Sequence, residues 1–430
     1  MIQAGRSLVD GRVPAGRSPA DDRLYAGRHP VNGRASAGRS RKTESWEAGR
    51  YEGSRMEESV MEAEKRQKPL AVLYPGRKSE AARERLEEVL DFALKGAEAE
   101  IFDEIGVLKE RPLCLKGRRL LFAVPLGNYG INREYYEILA WLRSGEQVLS
   151  GSLAGMVIDA GSEFYTKAAA RELAVAASMA GCGFVGRPLV EGTESLDNFL
   201  VQASNMGTDR MGAYRNSAGI LVRQLLDFSW ERKKTPHLLV LHASNHKTSN
   251  TLALWDQVKE QLSGVEIREV NLRNGTLVDC SGCPYQMCLH FGERGQCFYG
   301  GPIVDDVYPA VKWADGLLLL CPNYNDALSA NLTAFINRLT ALFRTTRFYD
   351  KAVFAIIVSG YSGSDLLAGQ IATALNMNKT FFLPGNFCMM ETANHAGAAL
   401  SLPGIEERIR RFSRMVRSTL MEEETKELLP

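Results

Sequence analysis

Residues 236–254 read PHLLVLHASNHKTSNTLAL. The apolar run Leu238 to Leu241 hands over, through Ala243-Ser244-Asn245-His246-Lys247-Thr248-Ser249-Asn250-Thr251, to a segment whose apolar residues recur at helical spacing. The pattern predicts a strand, a polar loop and a helix. Backbone N–H groups at a helix start are unpaired and carry partial positive charge, so a loop dense in hydroxyls and amides at that place suits a phosphate monoester. A nucleotide-type cofactor is the expectation.

What the stretch lacks narrows the choice. A Walker loop needs glycines followed by Gly-Lys-Ser/Thr, and a dinucleotide loop needs Gly-x-Gly-x-x-Gly. No glycine occurs between Pro236 and Ser263. An ATPase would also want a magnesium-binding acid at the end of a neighbouring strand. The candidate strand Gly316 to Leu320 runs instead into Cys321-Pro322-Asn323-Tyr324. The one literal dinucleotide pattern, Gly181-Cys182-Gly183-Phe184-Val185-Gly186, follows a helical stretch and precedes an extended one, the reverse of the required context.

From Leu70 onward, short apolar runs alternate with helical patterns, as in a parallel sheet covered by helices. They do so twice. Leu70 to Tyr74 answers to Leu238 to His242, Leu120 to Pro125 to Leu317 to Pro322, and Gly155 to Ile158 to Phe354 to Ile357. The offsets are about 168, 197 and 199 residues, so the second copy carries roughly 30 additional residues after its first strand. The expected fold class is α/β, with two doubly wound parallel sheets in tandem and a boundary in the charged stretch Glu231 to Lys234. The expected domains are 68–230 and 236–420, the second with a cysteine-rich insertion at 280–301.

Ahead of them, residues 1–55 repeat Ala-Gly-Arg with a period of eleven and have almost no apolar residues to bury, which reads as a disordered tail. A start at Met56 or Met61 is an equal reading of that segment. The composition of the whole chain is that of a soluble globular protein: 45% hydrophobic, 24% charged, formal net charge +1 over 430 residues. No global field invites nucleic acid or a membrane. With no apolar stretch near 18 residues and no secretory signal, a cytoplasmic protein is the default.

Taken together, the Ser244 to Thr251 loop, a four-cysteine segment, Asp305-Asp306 before a helix, and Cys321-Pro322-Asn323-Tyr324 followed by Ser329-Ala330-Asn331-Leu332 and Asn337-Arg338 resemble the flavodoxin-like NAD(P)H-dependent FMN reductases and iron-sulfur flavoproteins. The resemblance covers roughly Leu238 to Met390. It implies that Ser244, Lys247, Ser249, Asn250 and Thr251 hold an FMN phosphate, that Pro322, Asn323, Tyr324 and Asn325 line the isoalloxazine, and that Ser359, Gly360 and Tyr361 form a third flavin loop. It further implies NAD(P)H as donor, with a quinone, flavin, metal or organic electrophile as acceptor, and a dimer or tetramer. An electron carrier or redox sensor without small-substrate turnover is the alternative. Hydride transfer requires no protein acid or base at its core, so no catalytic side chain is assigned. In the first copy the loop Pro75-Gly76-Arg77-Lys78-Ser79 lacks the hydroxyl-amide cluster, although Arg77 and Lys78 remain to meet an anion.

Cys280, Cys283, Cys288 and Cys297 give C-x2-C-x4-C-x8-C among glycines. Three readings compete: a 4Fe-4S cluster, a structural or redox-active thiol loop without metal, and zinc. Iron-sulfur flavoproteins have a more compact pattern, with two residues between the second and third cysteines. Cys114, Cys182, Cys321 and Cys388 read as small packing residues. Asp305 and Asp306 read as helix-capping acids.

Overall fold

The computed structural model describes residues 68–111, 114–244, 248–272 and 277–422. The Ala-Gly-Arg tail, Lys247 and His246 lie outside them. In the first half, strands β1 (Leu70–Leu73), β2 (Ala99–Phe102), β3 (Arg119–Leu126), β4 (Leu153–Ala160) and β5 (Gly183–Gly192) form one sheet in the order β2-β1-β3-β4-β5. In the second half, β6 (His237–His242), β7 (Glu266–Asn271), β8 (Gly316–Pro322), β9 (Ala352–Ser359) and β10 (Cys388–Thr392) repeat that order as β7-β6-β8-β9-β10. Every named strand pair is parallel. This is the flavodoxin-like strand order, in which ligands sit beyond the carboxyl ends of the strands.

The composition of the strands explains their places. β4, β8 and β9 are apolar nearly throughout and buried along almost their whole length, as expected of strands with helices on both faces. β2 and β7 carry Glu100, Glu266, Arg268 and Glu269 and lie at the sheet edges.

The helices of the first half are α1 (Glu84–Ala93), α2 (Ile105–Glu110), α3 (Arg133–Leu142), α4 (Thr166–Met179), α5 (Leu200–Met206) and α6 (Arg210–Asp227). Those of the second are α7 (Asn250–Lys259), α8 (Tyr285–Gly292), α9 (Tyr308–Trp313), α10 (Ala330–Phe343), α11 (Ser364–Ile371) and α12 (Ile405–Leu420). Side-chain caps fix several starts: Asn132 accepts from Tyr135 N, Asp209 from Gly212 N, Ser249 from Leu252 N and Ser329 from Leu332 N. Asp305 and Asp306 differ from the capping expectation. They lie inside the wide turn Ile303–Val307 that leads into α9, and neither side chain caps it.

The halves join through equivalent segments. Helix α4 packs on α11, and the residues that follow each helix pair antiparallel, Phe184 N to Leu383 O (2.7 Å) and Leu383 N to Phe184 O (3.0 Å). Leu383's neighbour Phe382 also pairs with Ala352 at the start of β9. The Asn376 amide, fully buried, donates to Phe184 O, Val185 O and Phe381 O. Gly385 must be glycine here, because a Cβ would stand 2.4 Å from Gly181 O. One buried apolar cluster runs through both sheets, including Phe122 and Phe184 from the first and Phe335 and Phe381 from the second.

Candidate active site

At the carboxyl end of the second sheet lies a cavity of about 530 Å³, lined by Ala243, Ser244, Thr248, Ser249, Asn250, Thr251, Pro322, Asn323, Tyr324, Val358, Gly360, Ala393 and Asn394. Three loops build it. The first follows β6 and ends at the α7 N-terminus, where Ser249 Oγ accepts from Leu252 N and lies 2.8 Å from Thr251 Oγ1. Ser244 is buried, and its Oγ has no hydrogen-bond partner among the described residues. A buried hydroxyl beside an N-terminal helix turn is a place that an anionic ligand satisfies.

The second loop, after β8, turns sharply at Asn325 (φ 52°) and Asp326 (φ 59°), and Tyr324 and Ala327 close it with paired backbone hydrogen bonds. Two successive positive φ angles make a type I′-like turn, which asparagine and aspartate tolerate. The turn presents Tyr324 with half its surface exposed. The side-chain amide of Asn323 is taken up internally. It donates to Asp326 Oδ1, Ser359 Oγ and Ser362 O, and its Oδ1 accepts from Asp326 N, so it ties the second loop to the third.

In the third loop Gly360 lines the cavity, whereas Ser359 is buried behind it and bonds Ser364 Oγ at 2.7 Å. Tyr361 is 81% exposed and its hydroxyl accepts from Asn394 Nδ2. Asn325, Ser359 and Tyr361 therefore stand around the cavity without lining it. Thr248, Ala393 and Asn394 line it and were not singled out in the sequence. Thr248 belongs to the same hydroxyl loop. Ala393 and Asn394 follow β10, a five-residue strand with no clear sequence signal.

The corresponding place in the first half is closed by its own side chains. Asp159, fully buried near the end of β4, binds Arg83 Nε at 2.9 Å and Arg85 Nε and Nη2 at 2.9 Å each. Arg83 occupies the cap position of α1 that Ser249 occupies in α7, and makes no cap there. Arg77 pairs with Glu87 and Lys78 with Asp103 and Glu104, so the cations that the sequence offered to an anion are already paired. Glu84 and Glu87 in the first turn of α1 oppose a phosphate further.

All four clustered cysteines line a separate chamber of about 140 Å³, with Phe291, Phe298, Tyr299, Asn337 and Arg338. Cys288 rides on α8 and the others on loops. Among the described residues no three His, Cys, Asp or Glu side chains converge closely enough to hold a single ion. Arg338 is buried. Its Nη1 and Nη2 donate to the carbonyls of Val278 and Gly300, and its Nε has no partner. The other cysteines fit their packing role: burial pushes the Cys388 thiol up to about 12 and raises Cys182 and Cys321 further. Cys114, half-buried, is raised by the same cause.

Residues 236–395 match the model of the NADPH-dependent FMN reductase family, and this span contains all three loops and the cysteine chamber. They belong to that family. The match supports an NAD(P)H-dependent flavin oxidoreductase activity for this half, with FMN as the cofactor the family uses. No curated protein matches the chain. Among solved structures it is similar to an NAD(P)H:quinone oxidoreductase from Methanothermobacter marburgensis (16% identity, 43% of this chain and 96% of that one, TM-score 0.31). It is also similar to an azoreductase from Bacillus anthracis str. Sterne (12% identity, 43% and 99%, TM-score 0.31). A third is the NADH:FMN oxidoreductase EMOB in its apo form (17% identity, 44% and 92%, TM-score 0.28). No helix among the described residues is long and apolar enough to cross a membrane.

Proposed function

We propose that the reductase half holds one FMN, with its phosphate at the α7 N-terminus against Ser244, Ser249 and Thr251 and its ring beside Pro322, Tyr324 and Gly360, and passes electrons from NAD(P)H to a small planar acceptor. The observation that carries this reading is the cavity that joins the unpartnered Ser244 hydroxyl to the open Tyr324 wall. FMN supplies the two-electron redox chemistry. The protein binds the phosphate, fixes the loops through Asn323, and leaves the ring side open between Tyr324 and Tyr361 for donor and acceptor in turn. Quinones, free flavins, chelated metals and azo or nitro electrophiles all suit an open, flat site. A homodimer, implied by the family resemblance, would cover part of that opening.

A second reading adds a 4Fe-4S cluster as a one-electron relay or sensor. The shared cysteine chamber favours it. Four thiolates suit a cluster in number and chemistry, and ligands to separate irons need not meet at one point. A buried guanidinium bonded only to neutral carbonyls is a suitable neighbour for a negatively charged centre.

One preparation tests both readings: anaerobically purified protein, with its absorption spectrum, flavin and iron measured on the same sample and NAD(P)H oxidation then followed with a quinone. Flavin bands with turnover support the reductase. About four irons per chain add the cluster. Flavin without turnover favours the carrier or sensor, and no flavin after FMN is supplied refutes the central reading.

A further inference from the structure

A third cavity, of about 660 Å³, lies beside the seam between the halves. It is bounded by α3 and α4 of the first half and by α11 and Met390 of the second. No residue that lines it lines the flavin cavity or the cysteine chamber. Small-molecule sites gather in clefts between packed units, and this volume lies within their range of about 300–1,000 Å³.

One end of the cavity is aromatic. Tyr136 and Tyr165 line it and are each 52% exposed, and Tyr135 stands edge-on to Tyr136 with ring centroids 5.4 Å apart. The Tyr135 hydroxyl donates to Ala169 O at 2.8 Å, which fixes that ring against α4. Tyr165 holds its place at a conformational cost. It precedes α4 with φ +77°, a left-handed backbone that a bulky residue rarely takes. In the second half the equivalent residue, before α11, is Gly363, with φ +89°. One turn is thus made by glycine in one half and by tyrosine in the other, although the backbone favours glycine at both. The loop after β3 makes room for the ring, since a Cβ on Gly130 would stand 2.4 Å from Tyr165 Cδ2. Packing on Gly130 still leaves about half of Tyr165 exposed, so burial is not what the strain secures. Left-handed backbone at non-glycine residues gathers at ligand clamps.

Four charged side chains line the same cavity, and three have an evident role. Arg143 pairs with Glu172 at 2.8 Å, and Asp365 lies in the first turn of α11, where an acid suits the helix dipole. Arg171 makes no ion pair among the described residues. Its stem crosses the seam and packs on Gly369, where a Cβ would stand 2.8 Å from Arg171 Cδ. An aromatic platform at residue 165 and a guanidinium at residue 171 are therefore separated by about 9 Å of helix at 1.5 Å per residue. That spacing suits a flat two-ring molecule with a carboxylate at one end, because rings stack on tyrosine and carboxylates match the planar guanidinium fork.

We infer that this cavity binds a small planar aromatic acid, with its ring against Tyr165 and Tyr136 and its carboxylate on Arg171, so that one ligand touches both halves. The site needs neither FMN nor the acceptor proposed above.

The test is calorimetric titration of 2-naphthoate into the full chain supplied with FMN, for wild type, Tyr165→Gly and Arg171→Met, with circular dichroism to check folding. Glycine keeps the left-handed turn and removes the ring, and methionine keeps an apolar stem over Gly369 and removes the charge. Expected is one 2-naphthoate per chain with the flavin absorption spectrum unchanged. Binding should be about tenfold weaker in Tyr165→Gly and about fivefold weaker in Arg171→Met. The thermal midpoint of Tyr165→Gly should stay within about 2 °C of wild type, because relief of strain offsets lost packing. No binding by wild type, or wild-type affinity in either folded variant, would overturn the site. A perturbed flavin spectrum would place the naphthoate on the flavin instead. Self-association that is lost in Tyr165→Gly, with no naphthoate bound, would overturn the ligand in favour of a contact between copies of the chain.

Discussion

Replacing Asp159 by alanine tests whether the first half is closed by its own charges. The carboxylate is fully buried and receives three hydrogen bonds from Arg83 and Arg85, whose side chains are 22% and 20% exposed. Removing one partner of a buried ion pair costs about 3–5 kcal/mol, because the remaining charge is left without compensation. Both guanidiniums retain a path to water, which places the expected loss at the lower end, about 3 kcal/mol. For a cooperative unit of this half's size, each kcal/mol moves the thermal midpoint by about 2–4 °C, so the first-half transition should fall by roughly 6–12 °C.

The assay is differential scanning calorimetry of the FMN-loaded full chain, because flavin binding holds up the second-half transition and separates the two. Replacing Asp159, Arg83 and Arg85 together by leucines should recover most of the loss, since a buried ion cluster and an apolar one of similar volume are close in stability. A shift under about 2 °C for Asp159→Ala would refute the reasoning. The arginines would then be solvated cations that happen to lie near a carboxylate, and the first half's site would have some other reason to be closed.

The same closure predicts one FMN per chain at saturation, read by flavin absorbance against protein concentration; two would mean that the first-half arginines release Asp159 for phosphate. Ser249→Ala removes both a helix cap and a cavity hydroxyl, so stability should fall by about 1 kcal/mol and FMN affinity by about fivefold in fluorescence titration. Tyr324→Ala should weaken FMN by roughly threefold to tenfold through lost ring contact. Tyr361→Phe, which removes only the hydroxyl held by Asn394, should leave FMN affinity within about twofold. Equal losses for the two tyrosines would place the ring elsewhere.

How far the sequence reveals the molecule depends on where each signal resides. Strands buried on both faces announce themselves, as in Leu317 to Leu320 and Phe354 to Ile357, because continuous apolar runs have few other uses. The edge strands Ala99–Phe102 and Glu266–Asn271 carry charged residues, lie largely exposed and blend with their loops. The hydroxyl loop after β6 was legible because its residue types are themselves the chemistry. Which strand-end side chains line the cavity was not, because a strand end fixes a residue's neighbourhood but not the direction of its side chain. Tyr361 turns to Asn394, and Asn323 folds back on its own loops. The Asp159 cluster joins residues 76 and 74 positions apart, and only the tertiary fold makes that pair.

The seam gives the tandem arrangement a physical logic. In a homodimer related by a two-fold axis, any change to the interface or the site falls on both copies. Here equivalent helices, α4 and α11, and the equivalent segments after them, Phe184 and Leu383, meet within one chain. Each copy can therefore change alone. At the cap position of its first helix the first half carries Arg83 where the second carries Ser249, and an internal ion cluster stands where the second half has its hydroxyl loop. Between β7 and α9 the second half inserts the four-cysteine lobe, supported by Arg338 and Asn337 of α10. One buried core runs through both sheets, so the first half also contributes packing to the second. An ion cluster in one half and a cysteine chamber in the other are differences that two identical chains of a symmetric dimer cannot carry separately.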